Sequence, residues 1–202
     1  MARPRTVSDE DMLAAARAVF LEQGGSASTA TIAGRLGVSQ AALFKRFGTK
    51  KDLMVAALAP PATPPFLPLL LAGPDASRPV DEQLRAIAMA CLTFFRQMVP
   101  AVMVLNTCGF DPKQLMVEHD VPPPLVAHQA MGEWMAQAMD LELMRRGDPA
   151  AVALAFLGTL HIRAFFSALT RQPLSDADVQ SHVDSAIDAL WLGLAPAPET
   201  TP

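Results

Sequence analysis

The sequence has few of the features that mark disulfide-stabilised, disordered or membrane proteins. Its 202 residues include two cysteines, Cys91 and Cys108, too few for a disulfide framework or a four-cysteine zinc site. Only 18% of the residues are charged and 51% are apolar, which excludes an intrinsically disordered chain. No apolar run reaches about 18 residues without a charge, a proline or a cluster of helix breakers, so we expect no membrane-spanning helix.

We expect neither a secretion signal nor a catalytic centre in this sequence. No apolar segment follows a basic start, so we expect a cytoplasmic protein. The glycines form no loop that could cradle a phosphate. Neither His128 nor His161 has a partner at metal-ligand spacing, so we expect no metal ion, no cofactor and no enzyme activity. A redox role for Cys91 and Cys108 stays open, although free cysteines in apolar stripes are commonly inert.

The spacing of the apolar residues predicts an all-α protein. Apolar side chains recur every three or four residues, and no useful alternating strand pattern is present. Short helices are expected over about 9–23, 28–36, 40–47 and 50–59, the last ended by Pro60 and Pro61. Longer helices are expected over 81–98, 122–146, 148–169 and 175–194. Pro100 is expected to end the first of these, and cations to occupy the last turn of the second.

Prolines and charge divide the chain into a small head and a larger body. We expect a head over 1–58, a proline-rich joint over 59–80, a body over 81–194 and a disordered tail over 195–202. Residues 1–55 carry eight Lys and Arg against five Asp and Glu, whereas the other 147 residues carry eight basic and fifteen acidic side chains. A basic head on an acidic body indicates that only the head meets a polyanion.

The segment from Ser28 to Leu53 reads STATIAGRLGVSQAALFKRFGTKKDL, and its spacing predicts a helix-turn-helix. Apolar side chains that could close a small core between two crossed helices are Ile32, Leu36, Val38, Leu43 and Phe47. Gly37 permits the left-handed turn between the helices. The second of them would present Gln40, Ala41, Phe44 and Lys45 outward, with Arg46, Lys50 and Lys51 beside it. Such a helix suits base edges in the major groove, and the cations suit phosphates.

This segment resembles the TetR family of bacterial transcriptional repressors. The resemblance rests on I-A-x-x-L-G-V-S at 32–39, L-F-x-x-F at 43–47 and K-x-x-L at 50–53, and it is close over residues 8–58. It implies that Ser39, Gln40, Ala41 and Lys45 lie at or near base edges. It implies that Phe44, Arg46 and Lys50 touch backbone phosphates, with Thr29 and Thr31 at the start of the second helix.

Two departures from the family pattern bear on DNA binding. The family usually has Tyr where this chain has Phe44, and the sequence contains no Tyr. Phe cannot donate a hydrogen bond to a phosphate, which removes about 1 kcal/mol per site. Pro60 and Pro61 also shorten a helix that often links the two domains. A short N-terminal arm with Arg3 and Arg5 could reach a minor groove or remain a solvated tail.

The last two predicted helices are expected to form a homodimer interface. The helix over 148–169 is apolar on two faces, with Val152 and Phe156 on one and Leu154 and Phe165 on the other. One buried face needs a single apolar stripe, so the second stripe indicates an enclosed helix or a partner subunit. The resemblance also implies a four-helix dimer interface. Two heads would read half-sites about 34–36 Å apart or slightly more.

The resemblance further implies a pocket in the body for a small, largely apolar effector. Eight methionines follow residue 55, and Met suits tolerant binding surfaces, although plain core packing explains most single methionines. The candidate lining residues are Phe95, Met98, Asn106, Cys108, His128, Met131, Trp134, Met135, His161 and Phe165.

These patterns together indicate a TetR-type transcriptional regulator. We expect a repressor that binds a palindromic operator on double-stranded DNA as a dimer and is released by the effector. The alternative is a protein-interaction module whose basic head docks an acidic protein partner. Salt dependence and sequence preference of binding separate the two readings.

Overall fold

The computed structural model describes residues 7–61, 63–110 and 122–195, and these residues form helices and no strands. The all-α prediction is therefore confirmed. The helices are α1 (Asp9–Gln23), α2 (Thr29–Leu36), α3 (Gln40–Phe47), α4 (Lys50–Leu58), α5 (Leu67–Leu71), α6 (Val80–Thr107), α7 (Pro123–Asp140), α8 (Pro149–Thr170) and α9 (Asp176–Leu194), with a 3-10 turn at Gly24–Ser26.

Hydroxyl side chains begin most of these helices, as the sequence predicts. Ser8, Thr49 and Ser175 each accept the backbone N–H of an aspartate three residues later, whose carboxylate accepts the cap residue's N–H in return. These reciprocal bonds satisfy two N–H groups that a helix start leaves unpaired. Ser28 and Ser39 cap α2 and α3 through their hydroxyl oxygens. The helix starts in the head are therefore encoded locally.

The described residues fall into two compact units. The head unit holds the residues up to Pro60 and those from Pro100 to Phe110, and the body unit holds the rest. Residues 100–110, which the sequence analysis places in the body, thus pack with the head. Fully buried side chains from α1, α2, α3, α4 and α6 form the head core: Phe20, Ile32, Leu43, Leu53, Leu58 and Leu105.

Two predicted helix ends are wrong. Pro100 lies inside α6, which continues to Thr107. An internal proline costs about 3 kcal/mol, but continuing the helix buries Ala101 and Leu105 completely in the head core, and a buried Leu alone contributes about 2 kcal/mol. The short helix α5 within the proline-rich joint is not predicted from the sequence at all.

The helix α7 ends at Asp140, so the predicted cations of its last turn lie outside it. The chain leaves the helix through Glu142, which has a left-handed φ of 59°. This turn buries the Met144 side chain and lets the Arg145 N–H donate to the Leu194 carbonyl at 2.7 Å. Tertiary contacts therefore override the continuous helical pattern.

The body unit packs α7 against α8 and α5 around a core that includes Trp134 and Phe156. Arg85 on α6 pairs with Asp184 and Asp188 on α9, and Arg96 pairs with Asp176. Both arginines are mostly covered, so these pairs orient α9 on α6 within the body.

Two described helices, α6 and α8, are long and apolar enough to cross a membrane by length and composition alone. A core helix passes the same test, so this is weak evidence for a membrane span. In α8 only 28% of the most apolar window is buried.

Candidate nucleic-acid interface

The turn between α2 and α3 has the geometry that the sequence predicts. Gly37 ends α2 with φ 66° and ψ 27°, the left-handed conformation that glycine adopts without steric cost. The Val38 N–H then donates to the Ala33 carbonyl at 3.1 Å, which closes the turn. Ser39 is extended, and its hydroxyl oxygen accepts the Ala42 N–H at 3.2 Å. A three-residue connection thus joins the two helices, and the Val38 N–H and the Ser39 hydroxyl within it are hydrogen-bonded.

One face of the helix α3 packs into the head core, and the opposite face is exposed. Leu43 is fully buried in the head core, whereas Gln40, Ala41, Phe44 and Lys45 are exposed. Phe44 is 39% exposed, an unusual position for a large aromatic side chain unless a partner covers it. A helix with two short or slim side chains at its start and a cation one turn later can enter a major groove.

The threonines predicted near phosphates lie at the start of α2. Thr29 and Thr31 are both half-buried, and the preceding Ser28 hydroxyl accepts the Ala30 N–H at 3.1 Å. Helix starts with unpaired backbone N–H groups favour anions. Thr29 and Thr31 therefore lie in the first turn of α2, a helix end that suits a phosphate, and not on α3.

Arg46 has a structural role that sequence reasoning missed. Its Nη1 donates to the Val7 carbonyl at 2.8 Å and to the Asp9 carboxylate at 2.7 Å. These bonds tie α3 to the start of α1. Because a guanidinium carries five N–H donors, the pairing leaves donors for a phosphate. The predicted phosphate contact of Arg46 stays a prediction.

Lys50 and Lys51 begin α4 and point at uncharged partners. The Lys50 ammonium donates to the Gly25 carbonyl at 2.7 Å, and the Lys51 ammonium lies 4.8 Å from the centre of the Phe110 ring. The neighbouring Asp52 carboxylate caps the helix, and hydrogen bonds from the Thr49 hydroxyl and N–H hold its pKa below the usual value. The Lys51 ammonium also attracts the Asp52 carboxylate, and neither lysine has an ion pair by contact among the described residues.

A second arginine pair braces the helix-turn-helix. Arg35 on α2 donates two hydrogen bonds to the Glu22 carboxylate, at 3.1 and 2.6 Å. These bonds lower the pKa of Glu22. Both side chains are largely exposed, so the pair contributes little stability and chiefly fixes orientation. No spacing in the sequence predicts it, because the partners lie on different helices.

Residues 12–57 match the family model described as bacterial regulatory proteins of the TetR family. This range contains α2, the Gly37 turn and α3. Over these residues the chain is similar to the N-terminal domain of the TetR family. The exposed helix α3 agrees with this likeness to bacterial regulatory proteins.

Solved structures of TetR regulators share the fold over nearly the whole chain. One from Mesorhizobium loti is 17% identical, with a TM-score of 0.64 over 93% of this chain and 96% of that one. One from Streptomyces coelicolor is 23% identical, with a TM-score of 0.59 over 95% and 100%. The SmeT–triclosan complex is 20% identical, with a TM-score of 0.64 over 96% of both chains. At these identities the likeness shows the fold alone. No curated protein matches the chain.

The predicted effector residues do not all meet at one cavity. Phe95 packs edge-on against His161 at 5.5 Å and against Phe66 at 6.0 Å, and Phe94 joins this aromatic cluster. Partial desolvation lowers the pKa of His161, so the ring is neutral near pH 7. Sequence reasoning missed Phe66, which lies in the proline-rich segment.

The other candidates are spread over both units. Met131, Trp134 and Met135 are completely covered within the body core. Met98 and Phe165 are half-buried in the body, and Asn106 is exposed on the part of α6 that packs with the head. His128 lines an open groove of about 330 Å³ beside Glu133 and Pro149.

The two cysteines differ in their surroundings. Cys91 is fully buried, and burial raises the pKa of its thiol strongly. An uncharged, covered thiol is a poor nucleophile. Cys108 is half-buried and lines a cavity in the head unit. Within the described residues, no group of three or more His, Cys, Asp and Glu could hold a metal ion.

Proposed function

We propose that this protein is a cytoplasmic transcriptional repressor that binds a palindromic operator as a homodimer and is released by a small, largely apolar ligand. The observation that carries DNA binding is α3, which Leu43 anchors while five predicted contact residues remain exposed. Their chemistry supports groove reading rather than a purely electrostatic contact.

Each exposed side chain of α3 suits a particular task. Gln40 can bond adenine bidentately, Lys45 can donate to guanine, and Ala41 is small enough to approach a thymine methyl group. Ser39 keeps a hydroxyl hydrogen to donate, because its oxygen serves the helix cap as an acceptor. Phosphate contacts from Thr29, Thr31, Phe44, Arg46 and Lys50 would set the register of the helix in the groove.

The exposed face of α8 supports a homodimer through α8 and α9. Four large apolar side chains of this helix are 46–63% exposed: Leu154, Ile162, Phe166 and Leu169. Leu192 on α9 is 84% exposed. Covering a large apolar side chain contributes about 1.5–3 kcal/mol, so five from each protomer supply ample energy for association. A second copy would bring a matching face by two-fold symmetry.

The dimer is tested by sedimentation velocity at micromolar concentration. The wild type is expected to sediment as a dimer, and Phe166→Glu as a monomer, since the carboxylate would be buried without a partner. Leu71→Glu is the matched control, because Leu71 is 68% exposed on α5 and lies outside the proposed interface. A monomeric wild type, or equal effects of the two substitutions, would contradict the interface.

The aromatic cluster of Phe66, Phe94, Phe95 and His161 is the proposed place of effector recognition in the body. An aromatic cluster with a single polar group suits recognition of a small apolar molecule that carries one hydrogen-bonding group. The similar SmeT structure holds triclosan, which supports a small-molecule effector here. Such a ligand releases DNA only by binding more tightly to the state in which the spacing of the two heads does not match the spacing of the operator half-sites.

Operator binding is tested with DNA from directly upstream of the protein's own gene. Affinity is measured across a salt series and against a scrambled duplex of the same composition. Neutralising six to ten phosphates gives a log–log slope of about −5 to −9. Lys45→Ala should relax the preference over scrambled DNA by about 1–3 kcal/mol.

Steep, selective binding by two protomers per site supports the repressor. Lys51→Ala is the matched control for Lys45→Ala, because Lys51 is an exposed lysine outside the proposed base contacts. If no duplex, including genomic fragments selected by the protein, is preferred over scrambled DNA at any salt, the proposed operator function is wrong.

A further inference from the structure

A cavity of about 710 Å³ that is largely open to solvent lies on the head unit, apart from the aromatic cluster of the body. Its walls come from the first turns of α4, the 3-10 turn after α1 and the end of α6. Lys50, Lys51 and Met54 form one wall, and Cys108 and Phe110 form another. Two of the described wall residues are cations and none is an acid. The size is within the range of small-molecule sites.

The cationic side of the cavity has charge to offer. Lys50 donates to the Gly25 carbonyl at 2.7 Å, and Lys51 lies over the Phe110 ring at 4.8 Å. A carbonyl and a ring attract an ammonium group but do not neutralise it. The adjacent Asp52 carboxylate is directed to the helix cap, where it accepts the Thr49 N–H at 2.9 Å and the Thr49 hydroxyl at 2.7 Å.

Part of the lining of the cavity is apolar. Met54 is 3% exposed and Phe110 is 7% exposed, so both belong to the head core and show only a small part of their surface to the cavity. Thioether and aromatic surfaces suit a flat ring. The cavity therefore combines two ammonium groups with a rigid apolar wall.

We propose that this head cavity binds a small aromatic carboxylate. Its carboxylate lies between Lys50 and Lys51, and its ring packs on Met54 and Phe110. The site is a second effector site, separate from the proposed body pocket.

Occupation of the cavity has a consequence for DNA that rests on the proposed function. Lys50 is a predicted phosphate contact, so the carboxylate and the operator compete for the same ammonium group. An aromatic carboxylate should therefore weaken operator binding directly at the head. A neutral analogue with the same ring should leave operator binding unchanged.

The test uses Cys108 as a reporter and needs no DNA. The Cys108 sulfur lies beside Gly25, another residue of the cavity lining, and would be 3.0 Å from a Cβ built on that glycine. Because Cys91 is fully buried, iodoacetamide alkylation of the folded protein should occur at Cys108, and peptide mass spectrometry separates the two. The probe is 2-naphthoate, and the neutral control is 2-naphthalenemethanol.

The free fraction of a site is 1/(1 + [L]/Kd). If only the free site lets iodoacetamide reach Cys108, 2-naphthoate at about four times its Kd should slow Cys108 alkylation about fivefold. 2-Naphthalenemethanol at the same concentration should give little protection. Lys51→Met should lose the protection and Lys51→Arg should keep it. Lys45→Met is the matched control, since it removes a lysine on α3 that does not line the cavity, and it should keep the protection.

Three results would overturn the site: no protection by 2-naphthoate up to its solubility, equal protection by the alcohol, or full protection in Lys51→Met. These results are independent of the proposed repressor, since no DNA is present. Protection of Cys108 without weaker operator binding would support the site and contradict only the competition at Lys50.

Discussion

The turn glycine offers a test in which two chemically identical changes have opposite effects. Gly37 and Gly34 are three residues apart, and a Cβ added to either meets no atom within 4 Å. Side-chain clashes therefore contribute nothing to either change. Gly37 has a left-handed φ of 66°, whereas Gly34 lies inside the helix α2. The free energy difference between the variants reports backbone conformation alone.

Gly37→Ala should lower the free energy of unfolding by about 1–2 kcal/mol, the cost of a left-handed L-residue. Gly34→Ala should raise it by about 0.8–1 kcal/mol, the helix-propensity gain. The variants should thus differ by about 2–3 kcal/mol. Urea unfolding followed by circular dichroism measures this, with equal protomer concentrations because dimerisation adds to apparent stability.

The slope of the unfolding free energy against urea should be the same in both variants, since neither changes the surface exposed on unfolding. A neutral Gly37→Ala would show that the turn does not require the left-handed conformation. Destabilisation by Gly34→Ala would show that α2 does not continue through this position. Either result would refute the proposed helix-turn-helix geometry.

Three further predictions concern the head. Phe44→Tyr should tighten operator binding by about 0.5–1.5 kcal/mol per site, because the hydroxyl can donate to a phosphate. Fluorescence anisotropy measures the affinity, with Phe44→Leu as the control. Equal affinities of the Tyr and wild-type forms would contradict the contact. Arg46→Met should speed backbone amide exchange at the start of α1 through loss of the bonds to Val7 and Asp9, with Lys45→Met as the unchanged control. Hydrogen bonding lowers the Asp52 pKa from 3.8, so its stabilisation is present above about pH 4 and is lost as pH falls through the lower, folded pKa. The stability difference between wild type and Asp52→Asn should shrink over that range, and a pH-independent difference in urea midpoint would contradict the assignment.

Local signals in the head sequence were sufficient to predict its helices. Ser8, Ser28, Ser39 and Thr49 begin the expected helices, and Gly37 makes the expected turn. Each of these features acts within four residues along the chain, through a hydroxyl-to-amide bond or a single backbone dihedral. Such short-range interactions can be predicted without knowing the tertiary fold.

The candidate effector residues could not be gathered into one site from the sequence. Helical spacing places His128, Met131 and Met135 near one another along α7, but it does not say which neighbour covers them. In the structure the two methionines are core residues, while His128 opens onto a groove. The contact of Phe95 with Phe66 joins α6 to a residue about thirty positions earlier, within the proline-rich segment.

The sequence by itself determined the all-α class, the helix-turn-helix and the likeness of residues 12–57 to the TetR family, because each depends on periodicity, caps and a turn glycine read along a few residues. Only the tertiary structure decided that α6 passes through Pro100 into the head, that α7 stops at Asp140 and that Arg46 holds the start of α1. In each case the deciding energy comes from burial or hydrogen bonding between residues far apart in the chain. Local propensity carries no information about those partners.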